Sequence, residues 1–265
     1  MAFFSWQGAT PSGQREHRNL FIVSILHLRT LLSPRSTLSK LRYAKYYWGV
    51  LLRNWKGHRE SYAQHGEDLL VESLLGRVDS FIDIGANDGV LFSNTYKFAK
   101  MGARGLCFEP SVITYRKLRI NHLFHPKVKC FRQAVSDRSG RLPFVENGYE
   151  AVLSHIGSCE NGSTAQTVQA TTFSEILNRN HRFKKMDLLS VDVEGHEQEV
   201  FASLGEAIQA RIIIVETDKS DPLGLLELPA LREHNPKYHN GVNLILSHHS
   251  EKNKTATIPL GFAPC

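Results

Sequence analysis

The stretch Phe81-Ile-Asp-Ile-Gly-Ala-Asn-Asp-Gly89 sets three apolar residues, Phe81, Ile82 and Ile84, around one acid, Asp83. Glycines follow at 85 and 89, with Asn87 and Asp88 between them. The apolar part reads as a short strand buried in a sheet. The glycines read as a sharp turn where the backbone passes close to something else. Leu91 to Met101 then supplies a helix. A strand, a glycine turn and a helix in that order are how an open α/β sheet presents a nucleotide-like ligand at the carboxyl ends of its strands.

Further strands appear on both sides of this unit, and several end in acids. Gly105-Leu-Cys-Phe-Glu109 ends in an acid about two dozen residues after the turn, where a carboxylate can accept both hydroxyls of a ribose. Pro110 reads as the first residue of the next helix. Val128 to Phe131 is a third strand. Ser136 and Asp137 then fall at another strand-end turn, suited either to reading an adenine edge or to a plain Asx turn. Residues 141–172 read as a hairpin-like excursion over the same edge.

Leu188 to Val191 is buried strand. Asp192, Glu194 and His196 crowd its end, a grouping costly to assemble without purpose. Ile212 to Asp218 is a fifth strand, also ending in acids. A broken helix follows around residues 223–231, and residues 241–249 and 255–262 are expected to pair as the last two strands. Before the glycine turn, Gln64, Glu67 and Asp68 crowd the start of a helix, and read either as capping by Glu67 and Asp68, whose charge suits its first turn, or as a polar lid that touches ligand.

The 265 residues carry a formal charge of +6, unevenly spread. Residues 1–60 hold ten Lys/Arg against two acids, and residues 61–265 hold twenty-two against twenty-four. The basic character therefore belongs to an N-terminal arm, 1–61, and the body, 62–265, has no basic block that argues for nucleic acid. Within the arm, 20–32 is an apolar run shorter than a spanning helix needs, so a signal, an anchor or a packed helix all remain open. Membrane association would come through this arm, and the location is cytoplasmic or secretory-pathway accordingly. Residues 38–56 read as an amphipathic helix. Asn161 and Asn253 begin sequons that matter only in the secretory pathway. Cys107, Cys130, Cys159 and Cys265 show no metal-knuckle or redox spacing.

A dinucleotide fold prefers three spaced glycines, and an acid on the strand before the turn repels a pyrophosphate. Asp83 suits a cationic or zwitterionic ligand instead, and S-adenosylmethionine carries an ammonium and a sulfonium. The chain resembles the FkbM-type family of S-adenosylmethionine-dependent methyltransferases, and within it the eukaryotic and viral branch that includes the Star-like domain. The resemblance rests on an ordered set: Ala63-Gln-His-Gly-Glu-Asp68, Asp83 to Gly89 with Ser93-Asn-Thr95, Gly105 to Pro110, Ala134-Val-Ser-Asp137, Ser190 to Glu197, and Ile214-Val-Glu216.

The resemblance implies a Rossmann-like open twisted sheet of the class I methyltransferase type, mostly parallel with an antiparallel last strand. It also implies an O-methyltransferase acting on a hydroxyl of a small molecule or glycan. In that frame Asp83, Gly85, Asn87 and Gly89 match the cofactor loop, Glu109 the ribose acid, and Ser136 and Asp137 the adenine turn. Asp192 and Glu194 match the acidic strand end beside the transferred methyl. His196 is the expected proton acceptor, with Asp192 or Glu194 orienting the hydroxyl. No metal is assigned, although Asp192 and Glu194 offer hard ligands. The alternative is a non-catalytic module of this fold, serving as a membrane-associated binding or trafficking protein.

Overall fold

The computed structural model describes residues 59–145, 165–251 and 258–265, the backbone of 155–156, and six positions between Trp48 and Gly57. The apolar run 20–32, most of 38–56, residues 157–164 and both sequons lie outside the described residues. The chain divides into two units, 1–58 and 59–265. Among the described residues no helix is long and apolar enough to cross a membrane.

The second unit is built on an eight-stranded sheet. In chain order its strands are β1 (Ser80–Ile84), β2 (Arg104–Phe108), β3 (Val128–Phe131), β8 (Lys185–Val191), β9 (Gln209–Glu216), β10 (His234–His239), β11 (Asn243–His248) and β12 (Ala263–Pro264). Their spatial order is β12-β10-β11-β9-β8-β1-β2-β3. The five from β3 to β9 are parallel. β11 runs antiparallel to β9, and β10 antiparallel to β11. This is the Rossmann-like topology of class I methyltransferases: a parallel sheet with an antiparallel terminal region.

Both faces of this sheet are covered, which explains its continuous apolar strands. Phe81, Leu188, Ile212, Ile214 and Ile245 pack on one side, and Ile82, Ile84, Leu189, Val191, Ile213 and Val215 on the other. The alternation follows from the two-residue period of a strand. Phe81 lies so close over β2 that a Cβ on Gly105 would come within 2.2 Å of its ring.

Helices α1 (Glu67–Leu75), α2 (Tyr96–Lys100), α3 (Val112–Asn121), α4 (Phe173–Arg179), α5 (Glu197–Ala202) and α6 (Pro222–Leu226) join the strands. Pro110 does not open α3. Ser111 is the N-cap and its Oγ accepts from Thr114 N, so Pro110 lies one residue outside. A second sheet, β4-β7-β5-β6, uses β4 (Ala134–Val135), β5 (Gly140–Val145), β6 (His155–Ile156) and β7 (Ala165–Thr171).

The expected final strand pair is corrected. β11 falls where one strand was expected, but its second partner is β10, not residues 255–262. Described residues 258–262 are not strand. A register shift between Pro236 and Tyr238 lets proline sit within β10, as a bulge permits.

Candidate active site

The sheet order sets strand-end acids in a row. Reading along the carboxyl edge from β2 through β1, β8 and β9 to β11, the residues met are Glu109, Asp83, Asp192, Glu216 and Asn243, and all line one cavity. Ile84, Phe108, Val135 and Phe144 give that cavity apolar wall.

The turn after β1 is forced against β8. Gly85 has φ 83°, and a Cβ there would lie 1.7 Å from the backbone oxygen of Asp192. The Gly85 and Ala86 amides both donate to Phe108 O at 3.0 Å, and Asp192 N donates to Ile84 O at 3.0 Å. Three non-glycine residues adopt positive φ among the described residues, Asn87, Phe92 and Glu194, and all three line the cavity. Backbone strain of this kind gathers at sites where the surroundings over-determine the geometry.

Each acid has a distinct environment. Glu109 is buried, and its carboxylate accepts from Asn87 N at 3.1 Å and Ser111 N at 2.8 Å. Asp83 accepts from Thr95 Oγ1 at 2.6 Å. Burial nonetheless pushes its pKa up to about 6, against the opposing hydrogen bonds of Thr95 and Ser190. Ser190 is itself held by Asn94 Nδ2 at 3.1 Å. Asp192 and Glu216 are hydrogen-bonded to each other, and burial raises both carboxyl groups, Glu216 further. They meet because Val191 pairs with Val215, which makes them the next residues along β8 and β9.

Asp192, Glu194 and Glu216 bring carboxylate oxygens within 4.8 Å of one another, close enough to share one hard cation. The cation that the chain itself supplies is Lys219, whose Nζ bonds Glu194 Oε2.

Of the residues singled out in the sequence, Asp83, Gly85, Asn87, Glu109, Asp192 and Glu194 line the cavity. Gly89, Ser136, Asp137 and His196 are not among the lining residues. Gly89 (φ 78°) packs where a Cβ would meet Leu118 Cδ1 at 2.6 Å and His122 Nε2 at 2.9 Å, so it serves the packing of α3. Ser136 is buried; its Oγ donates to Asp137 Oδ1 and lies 2.9 Å from His196 Nε2. The other ring nitrogen, Nδ1, is 3.4 Å from Glu199 Oε2. The turn at Glu194 (φ 59°) and Gly195 (φ 96°) carries His196 toward β4 rather than into the cavity.

Other residues take positions that sequence reasoning missed. Gln133, at the end of β3, lines the cavity where Ser136 and Asp137 were expected to act. Glu197 is buried and clamps the 193–195 turn, accepting from Val193 N at 3.2 Å and Gly195 N at 3.1 Å. Both acids occupy the first turn of α1, where Asp68 Oδ1 accepts from Leu69 N at 2.9 Å. Glu67 is fully buried and accepts from Asn240 Nδ2 at 2.8 Å, Asn243 Nδ2 at 2.7 Å and His65 N at 3.0 Å. It ties the segment bearing Gln64 to the strand bearing Asn243, and both of those residues line the cavity. The polar run before α1 was the available signal.

Comparison with known proteins adds a decisive match. The model of the methyltransferase FkbM domain matches residues 83–248. The chain belongs to the FkbM methyltransferase family. Its FkbM domain is of the S-adenosylmethionine-dependent type. A curated relative, the hexuronic acid methyltransferase AglP of Haloferax volcanii, is 29% identical over 156 residues, covering 57% of this chain and 62% of that protein. The chain thus matches less than two thirds of that relative's length.

Among solved structures, a TehB-like SAM-dependent methyltransferase from Corynebacterium glutamicum aligns with TM-score 0.39 at 12% identity, covering 78% of this chain and 96% of that one. An O-methyltransferase from Bacillus cereus in complex with SAH aligns with TM-score 0.39 at 12% identity, covering 84% and 95%.

The FkbM domain's cavity fits S-adenosylmethionine by its donor set. It holds two buried acids, Asp83 and Glu109, able to meet cationic or hydroxyl groups, beside an apolar wall.

Proposed function

We propose that the protein is an S-adenosylmethionine-dependent O-methyltransferase acting on a hydroxyl of a small molecule or sugar. The observation that carries this reading is the Asp192–Glu216 carboxyl pair, half-buried in the cavity directly beside the β1 turn. The relative's name, a hexuronic acid methyltransferase, supports a sugar as the acceptor scaffold. The ordered motif set supports affiliation with the branch that includes the Star-like domain.

S-Adenosylmethionine supplies a methyl group already activated by its sulfonium, so the chain's main task is placement of the nucleophile in line. Asp83 would hold the ammonium, which would favour its ionised form. Glu109, oriented by the Asn87 and Ser111 amides, accepts from the ribose hydroxyls. Gln133 and the apolar wall of Phe108 and Val135 border the purine.

At the other end of the row, Glu216 retains its proton and donates a hydrogen bond through it to the Asp192 carboxylate. Asp192 would accept the proton of an acceptor hydroxyl held in line with the methyl group, so that the oxygen could take the methyl from the sulfonium. A carboxylate whose pKa is raised toward neutrality is the better base at neutral pH. We assign this part to Asp192 rather than to His196, whose ring nitrogens lie against Ser136 Oγ and Glu199 Oε2.

The test is transfer of labelled methyl from S-adenosylmethionine to a panel of glycosides and polyols by the full chain. Label is expected in an alkali-stable methyl ether. Label confined to an alkali-labile ester, or no transfer to any hydroxyl compound despite cofactor binding, counts against it.

A further inference from the structure

We propose that the acceptor subsite, bounded by Gln64, Asn243, Glu216, Asp192 and Glu194, is built for a polyhydroxyl compound that carries no negative charge. This rests on the methyltransferase reading above and adds the charge class of its substrate.

The cavity contains five carboxyl side chains, Asp83, Glu109, Asp192, Glu194 and Glu216. Among the described residues that line it, none is Lys, Arg or His. The nearby ammonium of Lys219 is bonded to Glu194. Asp83 and Glu109 lie on the β1–β2 side, where the cofactor's ammonium and ribose are assigned. The acids on the β8–β9 side are left facing the acceptor.

The polar groups beside them are neutral amides. Asn243 Nδ2 is committed to Glu67, which leaves its carbonyl oxygen for an acceptor's hydroxyl. Gln64 lines the same end. The Glu216 carboxyl, hydrogen-bonded to Asp192, lines this end as well. Amides and a carboxyl bond sugar hydroxyls well, whereas a carboxylate or phosphate on the acceptor would enter without a cation to meet it. A like charge in such a site is rejected.

The measurement uses the full chain saturated with S-adenosylmethionine and three matched probes differing at one carbon: a methyl glucoside, a methyl glucosaminide and a methyl glucuronide. Binding is read as the shift in thermal unfolding across a titration, in EDTA and again with added magnesium. The glucoside and glucosaminide are expected to stabilise the loaded protein at concentrations at least about tenfold below those the glucuronide needs. Gln64→Lys is expected to narrow that gap by favouring the glucuronide. A glucuronide response equal to or stronger than the others, zero included, overturns the proposal, as does a preference for the glucuronide that appears with magnesium. Calorimetric binding of S-adenosylmethionine is measured on the same sample. Its loss would fault the cofactor reading, whereas intact binding with a preferred glucuronide faults only the charge class.

Discussion

The carboxyl ends of β1 and β2 and those of β8 and β9 are chemically alike in sequence and different in structure. At the first pair, Asp83 and Glu109 are met by protein donors: Thr95 for one, and the Asn87 and Ser111 amides for the other. At the second, Asp192 and Glu216 face each other and hydrogen-bond to one another. Acids with fixed donors are oriented and suited to holding a ligand. Acids that share a proton at low dielectric are costly at rest and suited to moving one. On the function proposed above, the same row of strand ends divides into a holding half and a reacting half.

The sharpest way to break this division is at the residue between the halves. Gly85→Ala would drive a Cβ into Asp192 O, and we expect it to destabilise the fold by about 4 kcal/mol or more and to abolish both functions. Urea unfolding compared with cofactor binding checks this. Next, Asp192→Asn is expected to lower the transfer rate by roughly 10²–10⁴-fold, with S-adenosylmethionine affinity changed by less than about threefold. A loss of affinity matching the loss of rate would erase the distinction between the halves. Glu109→Ala is expected to do the reverse, weakening S-adenosylmethionine by about 10–100-fold through lost charged hydrogen bonds. Equilibrium binding on the folded variant measures it.

A smaller effect is set by pH. Asp83 is raised from 3.8 to about 6 in the fold, so the folded chain binds more protons than the unfolded chain between those values. Stability from this group is present below the unfolded pKa and is lost as pH rises through about 6. Cofactor affinity has the opposite sign, because the ammonium needs ionised Asp83, and it is expected to fall as pH drops below about 6. Asp83→Asn should flatten both trends, which calorimetry and thermal melts across pH 5 to 8 would show.

Much of this architecture could be read from short stretches of chain. β1, Gly85, Glu109 and Asp192 were legible because apolar runs, a glycine turn and strand-end acids are local patterns. What stayed hidden depends on register or on long-range contact. Glu216 was visible as one acid among several at a strand end; only the pairing of Val191 with Val215 makes it Asp192's partner. His196 belonged to the right cluster by spacing, and two consecutive positive-φ residues turned it away. Glu67 suggested a helix end, yet its donors Asn240 and Asn243 lie more than 170 positions on. β10 contains a proline and two histidines, and tertiary pairing overrides its weak strand pattern.

The central claim is that this cavity holds S-adenosylmethionine through the β1–β2 acids. Titration calorimetry of S-adenosylmethionine into the full chain and into Asp83→Asn at pH 7.5 tests it most directly. The account predicts one molecule bound per wild-type chain and clearly weaker binding to the variant. No heat of binding from folded wild-type protein, or equal affinity for the two, would contradict it.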